Sequence, residues 1–114
     1  MKNKNEVLEI SFELAVKIVE LSDVLEQNKK FVIAKQLLRS GTSVGANIRE
    51  AQSAESKADF IHKMKIAHKE AIETEYWLEL IKASKSYPSP SQEIVELLIS
   101  IQKLLNKIIS TSKK

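Results

Sequence analysis

The chain contains no cysteine, only two glycines and two prolines, and few aromatic residues, which make up 5% of its 114 positions. The absence of cysteine excludes disulfides, thiolate nucleophiles and zinc–thiolate sites. Sheet proteins need many turns and use more glycine and proline than this, so the composition favours an all-helical chain. No stretch approaches the roughly 20 apolar residues that a membrane-spanning helix requires. We therefore expect no membrane partner.

Charge is unevenly distributed along the sequence. The net charge of +3 is by itself only weak evidence for a nucleic-acid partner. However, residues 6–26 contain six acids and one lysine, whereas residues 29–69 contain nine Lys or Arg and three acids. The first six residues are polar and lack the apolar run of a signal peptide, so a cytoplasmic location is expected.

Apolar residues recur every three or four positions along four segments, which is the spacing of amphipathic helices. The pattern predicts helices over about residues 5–27, 31–53, 56–84 and 90–111. A chain of this length is typical of a single domain, here residues 1–114. Four such helices with short connections pack most simply as an all-α, antiparallel, up-down-up-down four-helix bundle.

Local residues decide three features of the helices. Ser56, with Asp59 three residues later, is expected to start the third helix, because an acid at that position suits a helix N-terminus. The second helix either breaks at Gly41 or continues, with Gly41 and Gly45 allowing another helix to approach closely. Its apolar stripe keeps its phase through both glycines, which favours a continuous helix. The fourth helix is expected to begin after Pro88, with Ser89 as its N-cap and Pro90 at its first position.

More apolar residues are present than a narrow core stripe requires. Phe12 and Val19 are expected to widen the buried stripe of the first helix and Ile72 that of the third, while Leu38 belongs to the inward stripe of the second. Five others lie at or beyond the stripe edges of the outer helices: Ile10, Val24, Val95, Ile99 and Ile109. These five indicate either a wide core face or a subunit interface.

No catalytic or metal-binding pattern is present. His62 and His68 are six residues apart and therefore on different faces of one helix, and Asp59 with His62 forms only one of the two units that a di-iron bundle needs. Neither a nucleophile-elbow sequence nor a phosphate-binding glycine loop occurs. We expect no enzyme activity, no cofactor and no metal.

Rows of basic residues are the candidates for nucleic-acid contact, since they can neutralise phosphates. The six candidates are Lys35, Arg39, Arg49, Lys57, Lys65 and Lys69. The alternative is that they form an ordinary solvated face. One acid, Glu73, is expected either to reach Arg49 or Asn47 on the second helix or to be simply exposed.

The segment from Lys35 to Ala51, KQLLRSGTSVGANIREA, strongly resembles the signature of the bacterial four-helix-bundle proteins encoded by intervening sequences in 23S ribosomal RNA genes. The segments SKADF, from Ser56, and KEAIETEYWL, from Lys69, resemble that family's third helix. Many members have Gly after the glutamate of Asn-Ile-x-Glu. Here the residue is Ala51, which favours a continuous helix.

The resemblance implies a ring-like homopentamer. It also implies kinship with the accessory protein of diversity-generating retroelements, whose basic surface contacts nucleic acid and the reverse transcriptase. The matching signature positions look structural rather than catalytic; they are Arg39, Ser43, Asn47, Ile48, Glu50 and Glu73. The leading hypothesis is a non-catalytic oligomer that associates with RNA or a ribonucleoprotein. The alternative is a protein-interaction module without nucleic-acid binding.

Overall fold

The computed structural model describes the backbone of residues 2–113 and the side chains of residues 5–113. Within that range it contains four helices and no strand: α1 (Lys2–Gln27), α2 (Phe31–Ala51), α3 (Lys57–Ala83) and α4 (Gln92–Ser112). α1 packs against α2 and α4, and α3 packs against the same two helices. Among the described residues, no Cα atom of α1 lies within 8 Å of one in α3, and none of α2 lies within 8 Å of one in α4. The predicted all-α class is confirmed, as four helices around one core.

Serine hydroxyls mark the start of the last two helices. Ser56 caps α3, because its hydroxyl accepts a hydrogen bond from the Asp59 N–H at 3.0 Å, as the spacing of these residues predicts. The predicted start of α4 is wrong by two residues. Ser91, rather than Ser89, is its N-cap, and it accepts from the Ile94 N–H at 3.3 Å. The helix starts only at Gln92, because Ser91 still has extended geometry.

α2 runs without a break through Gly41 and Gly45, neither of which has a positive φ. Both glycines face α1. A Cβ on Gly41 would come within 2.8 Å of Ile18, and one on Gly45 would lie 3.3 Å from the Ser11 carbonyl oxygen. Small residues therefore let these two helices approach closely.

The core takes residues from all four helices at helical spacing. Its largest fully buried side chains include Leu14, Ile18, Leu25, Leu37, Ile48, Met64, Ile81, Ile101 and Leu105. Four residues expected in the core are instead exposed: Phe12, Val19, Leu38 and Ile72. The physical reason is rotation, since Phe12 lies two residues before Leu14 and hence about 200° around the helix from it.

The five edge residues divide between the two expected environments. Val24 and Ile99 are exposed, whereas Ile10, Val95 and Ile109 are partly buried. The largest exposed apolar side chains of α1 and α2 are Phe12 and Phe31, which lie elsewhere. The exposed apolar side chains of the first helix therefore lie mainly on the side near α2.

Candidate interaction surfaces

The signature segment forms a polar ladder along α2. Ser43 Oγ donates to the carbonyl oxygen of Arg39 at 2.6 Å, and Asn47 Nδ2 donates to that of Ser43 at 2.9 Å. Ile48 is fully buried, while Glu50 is exposed. Ser43 and Asn47 thus form hydrogen bonds with the backbone of their own helix, and Ile48 packs in the core. These roles are structural.

Arg39 links α2 to α3 through two carboxylates. Its guanidinium lies 3.3 Å from Glu70 Oε1 and also pairs directly with Glu73. The indole Nε1–H of Trp77 donates to Glu73 Oε2 at 3.0 Å. This network lowers the pKa of Glu73 below its ordinary range, first through the Trp77 hydrogen bond and then through Arg39.

The partner of Glu73 differs from the expectation of Arg49 or Asn47. The buried pair Ser40 and Thr74, with hydroxyl oxygens 2.9 Å apart, aligns α3 against α2. That alignment brings Glu73 beside Arg39, ten residues before Arg49. Since Arg39 is held by two acids, it is not available as an unpaired cation for phosphate.

The Glu73→Gln variant should be less stable than the wild type at pH 7 by about 0.5–1 kcal/mol, as expected for a partly exposed ion-pair network. A carboxylate with a lowered pKa stabilises the fold above its unfolded pKa, and this contribution disappears as the pH falls through the folded pKa. The difference should therefore vanish well below pH about 4.

Urea unfolding at pH 7 and at pH 3, at one fixed protein concentration, measures this difference. The matched control is Glu96→Gln on α4, an exposed glutamate without an ion pair among the described residues. If Glu73→Gln lowers the free energy of unfolding by the same amount at pH 3 as at pH 7, the negative charge of Glu73 is not the cause.

The six predicted nucleic-acid contacts are not on one continuous face. Arg39 is in the ion-pair network, Arg49 and Lys35 border the cleft between α1 and α2, and Lys57 lies at the start of α3. Lys65 and Lys69 are exposed one turn apart on the outside of α3.

Sequence reasoning missed a group of lysines around Lys57. Lys57 lines a depression with Thr111 and Ser112, at the end of the bundle where α3 begins and α4 ends. Lys107 lies one turn before Thr111, and Lys113 directly follows Ser112; both are exposed. Lys57 and Lys107 are far apart in the sequence, and only the packing of α4 against α3 places them at the same end of the bundle.

Two apolar depressions follow one another along the line between α1 and α2. The one near Arg49 has a volume of about 250 Å³ and is lined by Leu8, Phe12, Ala15, Thr42 and Ala46, among others. The other, of about 240 Å³, is lined by Val19, Asp23, Glu26, Phe31, Lys35 and Leu38, among others. Phe12 and Phe31 are each 58% exposed. We call this surface the α1/α2 groove.

The outside of α3 presents a second mixed surface. We define the α3 outer face as Lys65, Lys69, Ile72, Tyr76, Glu79 and Leu80, all of which are exposed. Successive members are separated by three or four residues, except for the adjacent Glu79 and Leu80. They therefore share one side of the helix. The face is basic towards its N-terminal end and apolar in the middle.

A metal site requires several ligating side chains close together, and a membrane span requires a long apolar helix. Within residues 5–113, no group of three or more His, Asp or Glu side chains is placed to hold a metal ion. His62 is exposed and His68 partly buried. None of the helices in the described part of the chain is long and apolar enough to cross a membrane.

Known proteins share both the sequence pattern and the fold. The sequence model of the family described as 23S rRNA-intervening sequence protein matches residues 3–107. A solved protein of unknown function from the S23 ribosomal protein family, from Bacteroides thetaiotaomicron VPI-5482, is 50% identical and has a TM-score of 0.87 to this chain. The match covers 95% of this chain and 98% of that one. No curated protein matches the sequence.

Proposed function

We propose, because this chain belongs to the 23S rRNA-intervening sequence protein family, that it is a non-catalytic scaffold built from several copies. In this proposal the assembly associates with RNA or a ribonucleoprotein through exposed basic side chains. The family resemblance, now confirmed by the match over residues 3–107, favours five copies. We propose the cytoplasm as its location, where its RNA partner would be found.

An antiparallel, up-down-up-down order of the helices is part of the proposal. The contacts between α1 and α2 support it, because Ser22 lies beside Ala34 while Ser11, further back in α1, lies beside Gly45, further along α2. The connections between successive helices span only residues 28–30, 52–56 and 84–91. Short connections favour antiparallel neighbours.

The apolar α1/α2 groove is the observation that carries the scaffold proposal. Four large apolar side chains of the groove remain substantially exposed: Phe12, Val19, Phe31 and Leu38. Soluble monomers rarely expose contiguous apolar patches unless the patch meets a partner. Because these exposed side chains are apolar, we assign the groove to protein association.

Three exposed lysines at the end of the bundle where α3 begins and α4 ends support association with RNA. Lys57, Lys107 and Lys113 form no ion pair among the described residues, so their charges are free to meet phosphates. Contacts of this kind displace condensed counterions, and binding then weakens as salt rises. Such binding follows the shape and charge of a structured RNA more than its sequence.

Binding of a structured RNA, followed by fluorescence anisotropy between about 50 and 200 mM salt, tests this part. We expect the affinity to fall steadily with salt. In a plot of the logarithm of the association constant against that of the salt concentration, the variant Lys57→Gln/Lys107→Gln should have a slope shallower by about 1–2. Each lost phosphate contact removes nearly one unit of slope.

The control for this variant is Lys85→Gln, which removes an exposed lysine from the connection between α3 and α4, at the other end of α3. It should leave the slope unchanged. Absence of binding at low salt, or binding that ignores salt, would contradict the RNA proposal.

A protein-interaction module without nucleic-acid binding is the second candidate. The apolar groove favours it, because the groove alone could bind a helix of another protein. This candidate predicts a stable complex and no RNA affinity at any salt concentration. The salt series therefore separates the two candidates.

A further inference from the structure

We infer that the α1/α2 groove of one copy binds the α3 outer face of a second copy, with α1 and the docked α3 antiparallel. The inference rests on the proposed self-association and names the two surfaces that carry it. Both are helical, both are partly apolar, and the charges at their ends are complementary.

The groove has opposite charges at its two ends. The guanidinium of Arg49 lies over the ring of Phe12, 5.9 Å from its centre, and marks the positive end. Asp23 and Glu26 line the other end, close to Phe31, and outnumber Lys35, the cation that also lines it, so this end carries a net negative charge. At 1.5 Å per helical residue, the distance along α1 from Phe12 to Asp23 is about 16 Å, and to Glu26 about 21 Å.

The α3 outer face has the same polarity on the same length scale. Lys65 and Lys69 lie at one end, Ile72 and Tyr76 follow, and Glu79 lies at the other end. The distance from Lys69 to Glu79 along the helix is about 15 Å, and that from Lys65 to Glu79 is about 21 Å. The spacing of opposite charges thus matches that of the groove.

One antiparallel register satisfies every pair at once. It opposes the following residues of the two copies: Glu26 with Lys65, Asp23 with Lys69, Val19 with Ile72, Val16 with Tyr76, and Phe12 with Leu80. Val16 lines neither depression but is exposed one turn after Phe12 on α1. Glu79 then lies at the Arg49 end of the groove. The parallel orientation would place both lysines beside Arg49 and would oppose Glu79 to Asp23 and Glu26, and like charges at an interface cost affinity.

The outer face of α4 is a weaker match for the groove. It carries Glu96, Lys103 and Lys107, so its end charges resemble those of α3. Between them, however, Ile99 is its single exposed large apolar side chain among the described residues, whereas α3 offers Ile72, Tyr76 and Leu80. An apolar groove gains most from the partner with the larger apolar area.

The two surfaces differ, so the contact is heterologous. Each copy that donates its α3 face keeps its own groove free for the next copy. Contacts of this type produce rings when the rotation closes and filaments when it does not, rather than two-fold dimers. The inference therefore predicts assemblies of more than two copies.

Charge reversal tests the pairing. The variants Lys65→Glu/Lys69→Glu and Asp23→Lys/Glu26→Lys should each weaken assembly at least tenfold in sedimentation velocity at low salt. A chain with all four substitutions should regain assembly, because each charge pair is restored with opposite sign. The control Lys103→Glu/Lys107→Glu reverses two lysines at the same spacing on α4 and should assemble normally. Circular dichroism verifies that each variant is helical.

Cross-linking gives an independent readout, since the chain has no cysteine of its own. Within one copy, no Cα atom of α1 lies within 8 Å of one in α3 among the described residues. A disulfide requires Cα atoms closer than about 7 Å, so a Val19→Cys/Ile72→Cys disulfide must join two copies. Oxidation should yield a ladder of linked chains, and the control Val19→Cys/Ile99→Cys should not.

Assembly of the wild type together with undiminished assembly of both reversed variants would overturn the inference and leave the proposed function intact. Equal loss in the α4 control, or equal cross-linking of both cysteine pairs, would overturn it as well. A wild type that is monomeric at all concentrations would instead overturn the proposed self-association.

Discussion

Replacing Gly41 with alanine is expected to lower the free energy of unfolding by about 1–2 kcal/mol, even though alanine is the better helix former. The new methyl carbon would lie 2.8 Å from Ile18 Cγ2 and 2.9 Å from its Cγ1. Ile18 is fully buried, so its side chain has no free space into which to move. The cost of overpacking should therefore exceed the gain in helix propensity of about 1 kcal/mol.

Gly45→Ala is the matched control, one helical turn away on the same face. Its methyl carbon would meet the Ser11 carbonyl oxygen at 3.3 Å, a much milder contact. The propensity gain should offset this contact, giving a change of less than about 1 kcal/mol. Urea unfolding of both variants measures the contrast. If Gly41→Ala were as stable as the wild type, the close approach of α1 and α2 at Ile18 would be disproved.

Replacing Phe12 with serine is expected to weaken self-association by between tenfold and a hundredfold. The ring is 58% exposed in the isolated bundle, which leaves about 100 Å² of apolar surface to be covered by a second copy. At about 25 cal/mol per Å², this area contributes roughly 2.5 kcal/mol. Each 1.4 kcal/mol corresponds to about a tenfold change in the dissociation constant.

Val32→Ser is the control for the serine substitution. Val32 is the most exposed large apolar residue, at 75%, and lines neither part of the α1/α2 groove. It should leave the dissociation constant unchanged in a dilution series followed by light scattering. Equal weakening by both substitutions would mean that general surface hydrophobicity, and not the groove, drives association.

Helical periodicity predicted the four helices and the all-α class, because burial in a bundle repeats every three to four residues and does not depend on the partner helix. The continuity of α2 followed from the unbroken phase of its apolar stripe through Gly41. The cap of α3 followed from the Ser56–Asp59 spacing. The start of α4 was harder, since Ser89 and Ser91 both precede the helix and only the backbone geometry decides between them.

Contacts between helices could not be predicted in the same way. The partner of Glu73 depends on how far α3 slides along α2, and a single sequence does not encode that register directly. The exposure of Phe12 was missed because aromatic residues are usually assigned to the core by type. Its position on the helix, about 200° from Leu14, was the better guide.

The mass of the purified protein in solution, measured by sedimentation equilibrium over a range of micromolar concentrations, tests self-association most directly. We expect a species of several copies, with five favoured by the family. It should dissociate on dilution, and also when Phe12 is replaced by serine. A single species with the mass of one 12.9 kDa chain at every concentration would contradict this expectation.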